Sequence, residues 1–167
     1  MQIIQGHIEP FWKDQYKHIS YTRNPFGNSN DIAKWVHLGY VAKHYTGEMH
    51  IVKESTATWE LPFFKIFSGL HTGVTLYRME TSVIMPEHFD TFEFFIKRYN
   101  ITDCSKIRRA LIFLEDWQSG HIFEINNSSI TGWKAGDYVI WDHTTPHLAA
   151  NIGINMRYTA QVTYLNV

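Results

Sequence analysis

Residues 133–164 read WKAGDYVIWDHTTPHLAANIGINMRYTAQVTY and decide the fold. The stretch holds three short runs rich in β-branched and aromatic residues, at 138–141, 147–151 and 157–164, and turn-forming residues separate them. Gly136 is available for a positive φ in the turn before the first run. The stretch therefore predicts strands that are joined by turns.

The same pattern extends upstream to about residue 63. Further strands are predicted near residues 74–79, 83–90, 109–114 and 121–124. Short strands at this spacing are typical of an antiparallel sandwich or barrel, and the closest match is a jelly roll of the cupin kind. The sequence thus predicts an all-β core with the double-stranded β-helix architecture.

The N-terminal part of the chain has a different pattern. Residues 1–70 are predicted to form a helix and loop region that covers the barrel, and residues 71–167 form the core. Apolar residues recur at helical spacing over 32–45, after a turn cluster that ends in the capping residue Asp31. This segment is predicted to be a helix packed on one sheet. The aromatic residues Trp59, Phe63, Phe64 and Phe67 are predicted to belong to the core or to a lid over a substrate site.

The composition narrows the class of protein. A chain of 167 residues with 44% hydrophobic and 16% aromatic residues is predicted to form one domain with a full core. The formal net charge of −1 gives no global attraction to nucleic acid, and the basic run over 97–109 is interpreted as a solvated surface. A single cysteine, Cys104, excludes an intramolecular disulfide. No segment has the pattern of a secretory signal or a membrane span, so we expect a cytoplasmic protein.

Two histidines and a carboxylate form a candidate metal site. His88 and Asp90 lie two residues apart at the end of a predicted strand, so their side chains share one face while Phe89 points to the core. His147 lies in a strand that can fold back beside the first. Two histidines and one carboxylate on one face of a metal are the ligand set of non-haem iron(II) oxygenases. His143 is a rival third ligand, but the strand that begins at His147 offers a more rigid support.

The last predicted strand carries a cation on a polar face. Arg157 and Thr159 share this face with Gln161 and Thr163, whereas the residues between them are apolar. A polar face on this strand indicates a polar cavity inside the barrel. A buried guanidinium is costly unless it is paired, and its fork geometry matches a carboxylate. With a metal nearby, we expect a dicarboxylate that binds the metal at one end and Arg157 at the other.

These residues resemble a known family. The matching segments are Met85-Pro86-Glu87-His88-Phe89-Asp90, Trp133-Lys134-Ala135-Gly136-Asp137, and the run from Pro146 and His147 to Arg157 and Thr159. They look like the Fe(II)/2-oxoglutarate-dependent dioxygenases, and in particular like the small prolyl-hydroxylase-like and aspartyl/asparaginyl-hydroxylase-like members found in phage and marine bacterial genomes. The resemblance covers about residues 70 to 165 and leaves the N-terminal third unexplained.

The resemblance implies a cofactor and a reaction. It implies that His88, Asp90 and His147 bind Fe(II), that Arg157 binds the distal carboxylate of the cosubstrate 2-oxoglutarate, and that Thr159 supports it. It further implies that O₂ is consumed, that a C–H bond is hydroxylated, and that succinate and CO₂ are released. Aspartyl hydroxylases of this type commonly lack the carboxylate ligand, so Asp90 favours the prolyl-hydroxylase-like group.

Two further residues are candidates for contact with the cosubstrate. Tyr77 is a possible hydrogen-bond donor to it, or else a buried tyrosine bonded to the backbone. Arg109 follows Arg108 at the start of a predicted strand and is a candidate for binding the cosubstrate or an anionic substrate. The more common alternative for such a pair is an exposed strand end whose charges are solvated.

Three functions are consistent with this sequence. The first is a 2-oxoglutarate-dependent hydroxylase whose substrate is a small molecule or a peptide, with an amino-acid or peptidyl side chain as the first choice. The second is a cupin-type metalloenzyme, an isomerase or dioxygenase, that uses no keto acid. The third is a non-catalytic small-molecule-binding jelly roll in which the triad is coincidental. Arg157 and Thr159 favour the first, and no feature of the sequence predicts a membrane partner or an oligomeric state.

Overall fold

The protein folds as an all-β double-stranded β-helix, as the sequence predicts. The computed structural model describes residues 3–166, which form two antiparallel sheets. The strands are β1 (Ile4–His7), β2 (Thr22–Pro25), β3 (Thr46–Val52), β4 (Leu70–Met79), β5 (Val83–His88), β6 (Ile107–Phe113), β7 (His121–Ile125), β8 (Ser128–Ile130), β9 (Asp137–Trp141), β10 (His147–Asn151) and β11 (Arg157–Leu165). The larger sheet has the order β1-β9-β6-β11-β4-β3-β2 and the smaller one β5-β10-β7-β8.

Short helices connect the strands. They are α1 (Ser29–His37), α2 (Ala42–Tyr45) and α3 (Glu93–Tyr99), together with single 3₁₀ turns at Gln15–Lys17, Leu61–Phe64 and Cys104–Lys106. In the part of the chain that the structure describes, none of these helices has the length and hydropathy needed to cross a membrane.

All seven predicted strands are present, but two of them end earlier than predicted: β6 stops one residue short, at Phe113, and β5 stops two residues short. The strand predicted over 83–90 stops at His88, so Asp90 lies in the loop that follows β5. Because the chain leaves the sheet there, strand alternation no longer decides where Phe89 points. The prediction that Phe89 packs against the core is wrong, since 51% of its surface is exposed.

The outer face of the larger sheet carries the main hydrophobic core. Strands β4, β6 and β11 contribute alternating apolar residues, of which Leu76, Ile112 and Ala160 are completely buried. N-terminal segments cover this face with Trp12, Tyr16, Trp59, Phe63, Phe64 and Phe67. The aromatic run 59–67 is therefore part of the core, which was the first of its two predicted roles.

The N-terminal region is more than the predicted helix and loop cover. It adds β1, β2 and β3 to the larger sheet, and β2 was missed because all four of its residues are exposed and give no alternation. The helix predicted over 32–45 is divided into α1 and α2 by a turn in which Gly39 has a φ of 95°. The capping residue is Asn28 rather than Asp31, because the Asn28 side chain accepts hydrogen bonds from the backbone N–H groups of Asn30 and Asp31.

Helix α1 packs beside the smaller sheet through one residue. The buried Trp35 ring lies 5.7 Å from the Tyr45 ring of α2 and 6.1 Å, edge to face, from the imidazole of His88. The helical segment thus contacts the edge strand β5. The two sheets enclose a cavity of about 420 Å³ between their inner faces.

Candidate metal centre

The antiparallel pairing of β5 and β10 brings the predicted metal ligands together. His88, the last residue of β5, lies directly opposite His147, the first residue of β10. Their ring centroids are 4.2 Å apart, and the Nε2 atom of His147 lies 3.6 Å from Oδ2 of Asp90. One ligand atom from each of the three residues falls within 4.8 Å of the others, and all three side chains are buried. Among the described residues, His143 is not part of this group.

Backbone carbonyl groups fix the orientation of both imidazoles. Nδ1 of His88 donates to the carbonyl of Pro86 at 2.8 Å, and Nδ1 of His147 donates to the carbonyl of Thr145 at 3.1 Å. Because a carbonyl only accepts, Nδ1 carries a proton in each ring, which leaves Nε2 as the atom that can bind a metal when the ring is neutral. Burial lowers the pKa of His147 to about 4, which keeps its ring neutral at neutral pH. Neutral imidazole is the form that binds metals.

The Nε2 atom of His88 provides a test of fit. This atom is buried and has no hydrogen-bond partner among residues 3–166. An unpaired buried acceptor costs about 1–3 kcal/mol, and a metal ion at this point removes that cost. Two imidazole nitrogens and a carboxylate oxygen are also the donors that suit iron(II). The three side chains therefore fit a divalent transition metal.

Asp90 is held by two strands of the larger sheet. The indole N–H of Trp141 in β9 donates to Oδ2 at 2.9 Å, and Nη1 of Arg109 in β6 donates to Oδ1. Burial alone raises the pKa of Asp90, but the charge of Arg109 and the hydrogen bond from Trp141 hold this pKa below its usual value. Asp90 is thus an anion at neutral pH. The sequence predicts neither contact, since it gives Trp141 no role at the site and makes Arg109 an exposed strand end or a cosubstrate ligand.

Arg157 lies at a second position in the same cavity. Its side chain is buried, and its Nε and Nη2 atoms have no hydrogen-bond partner within the described part of the chain. The guanidinium lies 5.9 Å from the Phe113 ring and 5.7 Å from the Trp133 ring. Burial lowers the pKa of Arg157 to about 10, so the group remains charged at neutral pH. A buried cation with free donors is a site for an anion.

The remaining predicted residues line the same cavity. Thr159 is buried on the Arg157 face of β11, directly opposite Tyr77 on β4. Burial raises the pKa of Tyr77, so its hydroxyl keeps its proton and can donate. The structure thus brings the triad, Arg157, Thr159 and Tyr77 to one cavity, as expected. It places Arg109 there as well, but bound to a predicted metal ligand.

Comparisons with known proteins support the fold. No protein-family model and no curated protein sequence matches the chain. Among solved structures, a prolyl-4-hydroxylase from Pseudomonas putida is 13% identical, with 92% of this chain and 96% of that chain covered and a TM-score of 0.56. The non-haem α-ketoglutarate-dependent epimerase SnoN of nogalamycin biosynthesis is also 13% identical, with 90% and 79% covered and a TM-score of 0.57. At this identity the likeness shows the double-stranded β-helix, including the N-terminal additions, and nothing finer.

Proposed function

We propose that the protein is an Fe(II)- and 2-oxoglutarate-dependent oxygenase that hydroxylates an amino-acid or peptidyl side chain. One observation carries this proposal: three metal-ligating side chains and a buried, unpaired Arg157 line one cavity of about 420 Å³. The two solved structures described above are named as a hydroxylase and as an α-ketoglutarate-dependent enzyme, which supports the same reaction class.

The triad has the role of binding the metal. His88 and His147 each offer a ring nitrogen, Nε2, that is already oriented, and Asp90 offers a negatively charged oxygen. When bound, iron(II) supplies the oxidation of a C–H bond by O₂, coupled to conversion of 2-oxoglutarate to succinate and CO₂. The protein contributes placement and charge, and it lines the cavity with these side chains.

Arg157 and Thr159 have the role of binding the distal carboxylate of 2-oxoglutarate. The free Nε and Nη2 donors match the two oxygens of a carboxylate, and the Thr159 hydroxyl on the same face is a further donor. The rings of Phe113 and Trp133 beside the guanidinium exclude water and strengthen the ion pair. Tyr77, opposite Thr159, is proposed as an additional hydrogen-bond donor to the cosubstrate.

The exposed part of the cavity lining suits a substrate that carries a positive charge, a negative charge and an apolar part. The exposed residues that line the cavity include the acidic residues Glu54 and Glu93 and the basic residue Arg98. Phe89 and Phe94 are also among them, with 51% and 73% of their surfaces exposed. Mixed charges beside exposed aromatic rings are compatible with an amino acid or a short peptide.

The experiment compares two keto acids on protein loaded with Mn(II), by calorimetry without oxygen. 2-Oxoglutarate and 2-oxopentanoate share the end that binds a metal, but only the first has a distal carboxylate. Leaving Arg157 unpaired costs about 2 kcal/mol or more, so we expect 2-oxopentanoate to bind at least about 30-fold more weakly. Equal affinities would favour a cupin-type metalloenzyme that uses no dicarboxylate. Absence of Mn(II) binding would favour a non-catalytic jelly roll.

A further inference from the structure

The guanidinium of Arg109 is held on three sides. Its Nη1 donates to Oδ1 of Asp90, and its Nε donates to the hydroxyl of Thr163 in β11 at 3.2 Å. The carbon of the guanidinium lies 4.8 Å from the centre of the Phe92 ring. In the sheet, Arg109 pairs with Trp141 on one side and with Thr163 on the other. The two donors to Asp90 therefore come from adjacent positions of β6 and β9.

Two residues of the loop after β5 contact the guanidinium of Arg109. Asp90 and Phe92 are two residues apart, and Phe92 is buried with a left-handed backbone at a φ of 52°. A bulky residue in this conformation is strained and persists only where its surroundings hold it. Here the ring packs on Arg109 while the carboxylate two residues earlier binds it. Because β5 ends at His88, the sheet does not hold Asp90, and these contacts with Arg109 hold it instead.

The two carboxylate oxygens of Asp90 have different surroundings. Oδ1 is occupied by Arg109, whereas Oδ2 faces Nε2 of His147 at 3.6 Å and accepts from Trp141. Asp90 can thus present one oxygen, Oδ2, to the point between the two imidazoles. If the carboxylate rotated, Oδ1 would also become available to a metal.

We propose that Arg109 is a positioning residue for the metal centre, which fixes the rotation of the Asp90 carboxylate so that only Oδ2 faces the metal. This inference rests on the proposed function, because it assumes that the triad binds a metal. It assigns Arg109 a role different from that of Arg157, although both guanidiniums line one cavity. The guanidinium of Arg109 and the loop from Asp90 to Phe92 together hold the Asp90 carboxylate in this orientation.

The test measures binding of Mn(II) alone by electron paramagnetic resonance, through both the affinity and the spectrum of the bound ion. The variants are Arg109→Met, which removes both hydrogen bonds and the cation over the Phe92 ring, and Arg109→Lys, which keeps only the charge. Arg108→Met is the matched control, since Arg108 is the neighbouring residue and its Nη1 donates to backbone carbonyl groups of Ser105 and Ile107. Loss of an outer contact to a metal ligand typically weakens binding about 10- to 100-fold.

We expect Arg109→Met to lose about 10- to 100-fold in Mn(II) affinity and to change the spectrum of the bound ion. Arg109→Lys should fall between this variant and wild type, and Arg108→Met should match wild type. If Arg109→Met binds Mn(II) with the wild-type affinity and spectrum, the inference is wrong while the proposed function stands. If wild type binds no Mn(II), the proposed function itself is wrong. Should Arg109→Met not fold, Arg109→Lys decides in the same way, and wild-type behaviour of that variant overturns the inference.

Discussion

Two arginines on neighbouring strands of the larger sheet line the same cavity, but one has partners within the protein and the other has unpaired donors. Arg109 on β6 is bound to Asp90, Thr163 and the Phe92 ring. Arg157 on β11 is more deeply buried, yet two of its three guanidinium nitrogens have no partner in the described chain. At one end of the cavity the protein itself therefore provides the partner of the cation. At the other end we propose that a ligand provides it.

The difference has a physical cause in the positions of the anions. Asp90 lies in a loop that reaches across to β6, so Arg109 finds a carboxylate within the chain. Arg157 is in contact with the aromatic rings of Phe113 and Trp133, which tolerate a cation but do not neutralise it, while Glu115 acts on it without forming an ion pair or hydrogen bond. Such an arrangement lowers stability, and proteins keep it where an anion binds.

Removal of a metal ligand should have the largest effect of these changes. The metal is proposed to bind Asp90 at one end of the cavity and the cosubstrate that reaches Arg157 at the other end. We expect His147→Ala to lose more than about 100-fold in Mn(II) affinity, beyond the effect of an outer contact. His143→Ala is the matched control, since it removes the same side chain four residues upstream and outside the ligand group. A comparable loss in His143→Ala would show that the third ligand is wrongly assigned.

The two arginines should affect stability with opposite signs when no metal or cosubstrate is present. Arg109→Met leaves the Asp90 carboxylate buried and without its cation, so the free energy of unfolding should fall by about 2–4 kcal/mol. Arg157→Met replaces an unpaired buried charge by an apolar side chain, so this free energy should rise by about 1–3 kcal/mol. Urea unfolding at pH 7 with a chelator measures both values. Changes of the same sign would contradict the comparison.

A smaller effect concerns Glu115, whose buried Oε1 has no partner and whose charge acts on Arg157. Burial raises the pKa of Glu115 to about 7, above the ordinary value of 4.5. As the pH rises, the unfolded chain therefore loses this proton at a lower pH than the folded chain does. The contribution of Glu115 to the free energy of unfolding is fully present below pH 4.5 and is lost as the pH rises through 7. Since the group is partly exposed, we expect Glu115→Gln to gain about 1 kcal/mol over wild type between pH 5 and pH 8 in urea unfolding. An equal difference from wild type at both pH values would refute this assignment.

The sequence predicts the Arg157 end of the cavity better than the Arg109 end. The faces of β11 follow from strand alternation alone, so Arg157 and Thr159 could be placed on a polar inner face. The contacts of Arg109 depend on the register of β6 against β9 and β11, which brings together residues far apart in the chain. Alternation on β6 gives little help, because the residues after Arg109 are apolar on both faces.

Other elements were missed for similar reasons. Strands β1 and β2 are short edge strands with mostly exposed residues, so they lack a buried face that would give a pattern. Helix α3 begins at Glu93, after the left-handed residue Phe92 that provides no side-chain cap, so no local signal indicates where it starts. The grouping of the triad could be predicted because His88 and His147 lie at strand ends and Asp90 lies two residues after one, although the exposure of Phe89 could not.

The most direct test of the proposed site adds Fe(II) and then 2-oxoglutarate without oxygen and records the visible spectrum. Because 2-oxoglutarate is proposed to bind the metal and Arg157 together, wild type should develop a metal-to-ligand charge-transfer band. Arg157→Met should need at least about 30-fold more 2-oxoglutarate for the same band, while Arg108→Met should behave as wild type. No band in wild type, or the same band at the same limiting 2-oxoglutarate in Arg157→Met, would contradict the proposed function.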